Sequence, residues 1–120
     1  MRGFLGGMFR PDADPELAAW IRRDMAAAPP AVATSSMRRY LGLFTSSAAV
    51  ELFRSLVVPV RCINADLWPT RIDANCAIVR DYDAKILKAV GHFLMLERPG
   101  VFNAELRRVI AGLPGDPRAP

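Results

Sequence analysis

The sequence has few of the residues that build metal sites and disulfides. Its 120 residues include one histidine and two cysteines, and Cys62 and Cys76 do not form a Cys-x-x-Cys pair. Because a zinc site needs about four closely spaced ligands, we predict that the chain holds no zinc. Cys62 lies in an apolar run and is expected to pack as a small core residue. Nothing in the sequence indicates a metal or an organic cofactor.

Long apolar runs and a large charge excess are also lacking. No uncharged apolar run reaches about 18 residues, so no transmembrane helix is expected. The first ten residues hold too short an apolar stretch for a signal peptide, so we expect a cytoplasmic location by default. The net charge is only +4, and the three arginine doublets lie far apart. Because nucleic-acid binders usually carry a continuous basic stripe, neither a nucleic acid nor a membrane is expected as a partner.

The residues that are present predict a globular chain with a helical first part. Hydrophobic residues make up 52% of the sequence, which excludes a disordered chain. Asp14 and Pro15 are typical of a helix start, and Pro29-Pro30 is typical of its end. Apolar residues at helical spacing predict two further helices, over about 31–44 and 47–56.

The second part of the sequence alternates strands and helices. Residues 57–63 and 84–90 are predicted to be strands, and residues 70–79 and the segment from Pro99 to Gly112 are predicted to be helices. Such a βαβα order favours parallel pairing of the two strands, so the predicted fold class is α/β. Asp66 and His92 follow the strands at their carboxyl ends. Because ligands gather at that end of a parallel sheet, we expect both side chains to face one crevice.

The segment 91–99, GHFLMLERP, closely resembles the catalytic-histidine motif of α/β-hydrolases. The segment 58–66, VPVRCINAD, is similar to the strand that precedes this motif, whose following loop often supplies the acidic residue of the triad. The resemblance implies that the chain is the C-terminal portion of such an enzyme. Residues 1–56 would be a helical cap-like segment, and residues 57–120 the last βαβα portion of the core.

The resemblance also implies roles for single residues. His92 matches the general base of the triad and Asp66 its acid, and Asp73 in the next predicted helix is the alternative acid. Glu97 is expected to anchor the loop or the following helix start, and Gly91 to permit a tight turn through a positive φ. Trp68 is expected to pack in the core, with a place in a substrate pocket as the alternative.

Three parts of the α/β-hydrolase pattern are absent from this sequence: the first strands, the oxyanion-hole loop and the nucleophile turn. The nucleophile of α/β-hydrolases lies in a G-x-S-x-G turn, and none of the serines at positions 35, 36, 46, 47 and 55 has that context. We therefore expect this chain alone to be inactive. The complete enzyme would act on a small ester-like or related substrate, and esterase, C–C hydrolase, epoxide hydrolase, lactonase and haloperoxidase-like activities all stay open. The expected partner is an N-terminal half or a second copy bound through exposed sheet edges. The alternatives are a catalytically inactive interaction module and one half of a split enzyme.

Overall fold

The computed structural model describes residues 6–113. Residues 1–5, at the start of the predicted segment 1–56, and residues 114–120, at the end of the predicted segment 57–120, lie outside the described residues. In chain order, the elements are α1 (Pro15–Ala26), α2 (Pro30–Phe44), α3 (Ala48–Arg54), β1 (Val60–Ala65), α4 (Ile72–Cys76), β2 (Tyr82–Leu87), α5 (Leu94–Glu97) and α6 (Pro99–Ala111). Within residues 6–113, no helix has the length and apolar character needed to cross a bilayer.

Helix α1 begins where the sequence predicts. The Asp14 carboxylate accepts hydrogen bonds from the backbone N–H groups of Glu16 and Leu17, at 2.8 and 3.4 Å. These contacts satisfy donors that have no partner within the helix. The buried side of α1, which includes Ile21, packs on Met8 and Phe9 in a small apolar cluster. This cluster joins the segment before α1 to the loop that follows β2, because Phe9 stacks on Phe93 with ring centroids 5.4 Å apart.

Helices α2 and α3 are confirmed near their predicted positions but cover little of the rest of the chain. No residue of α2 is buried. Its side chains at i, i+3, i+4 and i+7 spacing form an apolar stripe that is exposed along its length: Met37, Tyr40, Leu41 and Phe44. A stripe of this kind normally packs on a core. Among the described residues, nothing buries it.

The two strands pair in parallel, as predicted. The register runs from Val60 beside Tyr82 to Ala65 beside Leu87. Both strands differ from the predicted bounds. Strand β1 begins three residues later than predicted because Pro59 cannot donate to a ladder, and Val57 before it is 90% exposed. Strand β2 spans 82–87 and not 84–90. It begins earlier because Tyr82 already pairs with Val60, and it ends earlier because the chain leaves the extended conformation by Ala89, whose φ is +56°.

The helices of the second part lie on the two faces of this sheet. On one face, Leu87 packs with Val90 and Leu94, and Phe102 of α6 packs against the same cluster. On the other face, the Asn75 side-chain amide of α4 donates to the Tyr82 hydroxyl at 2.9 Å. Helix α4 is shorter than the predicted 70–79 segment, and only its turn after Cys76 brings an apolar side chain, Val79, into the interior.

Among residues 6–113, β1 pairs with β2 alone, so its other edge is open. The Val60 N–H donates to Asp81 O at 2.8 Å, and the Asp66 N–H donates to Leu87 O at 3.0 Å. Because N–H directions alternate along a strand, the alternate residues of β1 point their backbone N–H groups away from β2. These residues are Arg61, Ile63 and Ala65.

The outer edge of β2 is partly closed. Along β2, the backbone groups of Asp83 and Lys85 face β1, so the N–H of Ala84 between them points outward. The side chain of Asp83 accepts that N–H at 2.8 Å. A charged side chain that occupies an edge donor hinders the pairing of a further strand. The sheet therefore offers β1, more than β2, for extension.

Candidate active site

His92 lies in a loop that three backbone contacts hold in place. The Glu97 carboxylate accepts hydrogen bonds from the N–H of Gly91 at 2.8 Å and from the N–H of Phe93 at 3.3 Å. The N–H of His92 donates to Met8 O at 2.8 Å. The prediction that Glu97 anchors this loop is confirmed. Glu97 lies in α5, and its carboxylate points back to the loop. The backbone on both sides of His92 is therefore held in place.

Gly91 is needed for a reason other than the predicted one. Its φ lies outside the left-handed range, and the residue with a positive φ is Ala89. A Cβ at position 91 would lie 2.5 Å from Glu97 Oε1 and 3.0 Å from Met8 O. These separations are shorter than van der Waals contact. The close approach of Glu97 and Met8 to the backbone, not the turn itself, therefore excludes a side chain here.

Asp66 follows β1 and has its carboxylate engaged with two other groups. Its Oδ2 accepts the Ala89 N–H at 3.2 Å, and its Oδ1 lies 3.5 Å from Arg10 Nη1. The Ala89 N–H lowers the pKa of Asp66 most. The Val90 N–H and the positive charges of Arg10 and Lys88 lower it further, against the opposing effect of burial. The carboxylate is therefore held in its charged form between β1 and the turn after β2.

The two predicted site residues lie at the same end of the sheet but do not touch through their polar atoms. Among residues 6–113, no hydrogen bond or ion pair joins the Asp66 carboxylate to the His92 ring; the partners of that carboxylate are Ala89 and Arg10. Asp73, the alternative acid, is exposed on α4 and does not line the cavity beside His92. In this arrangement Asp66 orients the turn after β2 and not the imidazole.

A cavity of about 560 Å³ opens beside His92 at the carboxyl end of β1. The ring of Trp68 lies 5.3 Å from the His92 ring, at an angle of 53°. Trp68 is half exposed and lines this cavity, so the pocket alternative, and not core packing, describes its position. The Asn64 amide donates to Thr70 Oγ1 at 2.9 Å and so fixes the loop between β1 and α4.

The sequence does not single out every residue of this cavity. Arg71 and Met95 reach it from the loop after β1 and from α5. The only signal for them is their place in segments that follow a strand, where ligands of parallel sheets bind. Within the described residues, no three histidine, cysteine or acidic side chains come close enough together to hold a metal ion. The polar side chains that line the cavity supply an imidazole, two amides, a hydroxyl and a guanidinium.

Comparison with protein-family models, curated proteins and solved structures finds no match for this chain.

Proposed function

We propose that this chain is the C-terminal portion of an α/β-hydrolase and supplies the general base, His92, for cleavage of a small ester-like substrate. The observation that carries the proposal is the position of His92. It lies at the carboxyl end of a parallel pair of strands, beside a cavity of about 560 Å³, in a loop anchored by Glu97. The resemblance of segment 91–99 to the catalytic-histidine motif supports the same role.

In this role the His92 imidazole takes the proton of a nucleophile and later returns a proton to the leaving group. The nucleophile comes from another segment, because none of the serines here has the G-x-S-x-G context. Asp66 acts as the third member of the triad only when its carboxylate exchanges Arg10 for His92. In this proposal, the Asp66 carboxylate changes its partner from Arg10 to His92 when the nucleophile-bearing segment binds at this end of the sheet.

The test is hydrolysis of p-nitrophenyl acetate by this chain alone and after it is mixed with the polypeptide encoded immediately upstream of Met1. We expect activity only in the mixture and its loss by a factor of about 10³ or more in His92→Ala. Lys85→Ala is the matched control because Lys85 is exposed on β2 and away from the cavity. A mixture that hydrolyses the ester equally well with His92→Ala would exclude the proposed role.

A second candidate is an interaction module without catalysis. The observation that favours it is the open edge of β1, whose outward N–H and C=O groups can pair with a strand from a partner. Under this alternative, the same mixing experiment gives a stable complex and no hydrolysis above the level of the separate chains.

A further inference from the structure

The lining of the cavity beside His92 carries positive charge and no negative charge. Its polar side chains are those of Asn64, Thr70, Arg71, Asn75 and His92. None of the described residues that line it is an aspartate or a glutamate. The nearest carboxylate along the chain, Asp66, is paired with Arg10 and with the Ala89 N–H and is not part of the lining. The cavity therefore favours an anion over a cation.

Arg71 is the cation in this lining. In the part of the chain from residue 6 to 113, the ion pairs of arginines involve Arg10, Arg61 and Arg108. Neither an ion pair nor a side-chain hydrogen bond there engages Arg71. A guanidinium presents a planar pair of donors that matches a carboxylate, and such charge-assisted pairs are the stronger hydrogen bonds of proteins.

The remaining wall of the cavity is apolar. Leu67, Trp68, Leu94 and Met95 line it, and Trp68 presents its ring beside the imidazole of His92. A cavity of about 560 Å³ is within the usual range for small-molecule sites, which combine an apolar wall with a few polar groups. An aliphatic or aromatic body against Trp68, with one acidic group at Arg71, would satisfy both parts of this lining.

We propose that the cavity binds small amphipathic carboxylates, with Arg71 as the anchor for the carboxylate and Trp68 as the contact for the apolar body. This inference deepens the proposed function, since it names the substrate or product class of the same site and takes from it that His92 faces the bound molecule. Cleavage of an ester releases a carboxylate, so the proposed ligand class includes the product of the proposed reaction.

The experiment measures binding without turnover. The chain has a single histidine, so its imidazole signal in a proton–carbon NMR spectrum belongs to His92 without further assignment. The probes are 4-phenylbutyrate and its uncharged counterpart 4-phenylbutyramide, titrated into the intact chain. We expect a saturable shift of the His92 signal and binding of the acid at least about tenfold tighter than binding of the amide.

Two matched variants locate the charge effect. Arg71→Gln is expected to reduce affinity for the acid about tenfold and to leave affinity for the amide unchanged. Arg39→Gln removes the same charge from α2, far along the chain from the cavity lining, and is expected to change neither affinity. Trp68→Ala is expected to weaken both ligands.

The outcomes separate this inference from the proposed function. Equal binding of acid and amide, no saturation up to about 10 mM, or an equal effect of Arg39→Gln would overturn the carboxylate site. Carboxylate binding that depends on Arg71, together with no hydrolysis in the mixing experiment, would keep the site and overturn the hydrolase. Hydrolysis that depends on His92, together with equal binding of acid and amide, would keep the hydrolase and overturn the carboxylate site.

Discussion

One carboxylate oxygen of Glu97 accepts the Gly91 N–H at 2.8 Å, and the other lies 2.5 Å from the place where a Cβ on Gly91 would be. The same carboxylate also accepts the Phe93 N–H. His92 stands between these two anchored residues. Glutamate at position 97 fixes the backbone around His92, and glycine at position 91 leaves the space that its carboxylate needs.

Gly91→Ala is expected to destabilise the chain by about 1–3 kcal/mol, since the new methyl group forces Glu97 or the Met8 carbonyl to move. Urea denaturation followed by circular dichroism measures this. Gly100→Ala is the matched control because a Cβ there meets no atom within 4 Å. In α6 this control should be neutral or stabilising by up to about 1 kcal/mol.

The Glu97→Ala variant tests whether the carboxylate causes that cost. Glu97→Ala alone leaves two backbone donors of the loop without their partner and is expected to cost about 1–3 kcal/mol. In the double variant, the Gly91→Ala cost should shrink, because the nearest obstacle to the Cβ is gone. Strictly additive costs would show that Glu97 does not restrict position 91.

Ala89→Gly is expected to stabilise the chain by roughly 0.5–1 kcal/mol. Ala89 has a φ of +56°, and an L-residue in that region costs about 1–2 kcal/mol, part of which the greater freedom of glycine in the unfolded chain offsets. Ala104→Gly, at an exposed site inside α6, should instead cost about 1 kcal/mol. Chemical denaturation of both variants gives the two signs, and loss of stability in Ala89→Gly would contradict the prediction.

Acid stability should depend on Asp66. The pKa of Asp66 is lowered from its ordinary value of 3.8 by the Ala89 N–H first of all. A carboxylate with a lower pKa in the folded chain adds stability above its unfolded pKa, and this stability is lost as the pH falls through the folded pKa. Asp66→Asn removes that dependence. Between about pH 5 and pH 2, the wild type should therefore lose more stability than Asp66→Asn, with Arg10→Gln in between. Parallel curves for the wild type and Asp66→Asn would contradict this.

The sequence predicts the order and pairing of the elements better than their bounds. Proline and the Asp14 cap are local signals, so the start of α1 and the end before Pro29-Pro30 agree with the structure. The bounds of β2 depend on the turn at Ala89, and an alanine with a positive φ leaves no mark in the sequence. The N–H of Ala89 contacts Asp66, which is distant in the chain, so this turn involves a contact that the local sequence does not show.

The same distinction holds for the candidate site. The anchoring of the loop by Glu97 could be predicted, since Glu97 and Gly91 lie within one short motif. The pairing of Asp66 with Arg10 could not, because it depends on how residues 8–10 pack beside the loop that follows β2. The place of Arg71 in the cavity likewise depends on the path of the loop after β1.

Hydrogen exchange should distinguish alternate residues of β1. The backbone N–H groups of Arg61, Ile63 and Ala65 face the open edge, whereas those of Cys62 and Asn64 face β2. In the chain alone, we expect the first set to exchange faster than the second. Binding of a strand-forming partner should protect the first set and leave the second nearly unchanged. Protection of both sets in the chain alone would show that the β1 edge is already paired.

The exposed stripe of α2 should make the chain associate with itself. Met37, Tyr40, Leu41 and Phe44 are each about half exposed, and burial of one such side chain gives roughly 1.5–3 kcal/mol. Sedimentation at increasing concentration should therefore show oligomers, and the double variant Tyr40→Gln/Phe44→Gln should weaken association by at least about tenfold. Val32→Gln is the matched control, since Val32 is also exposed but lies about 130° around the helix from the centre of the stripe, at about 100° per residue. A monomer at every concentration, or an equal effect of Val32→Gln, would show that the stripe does not drive association.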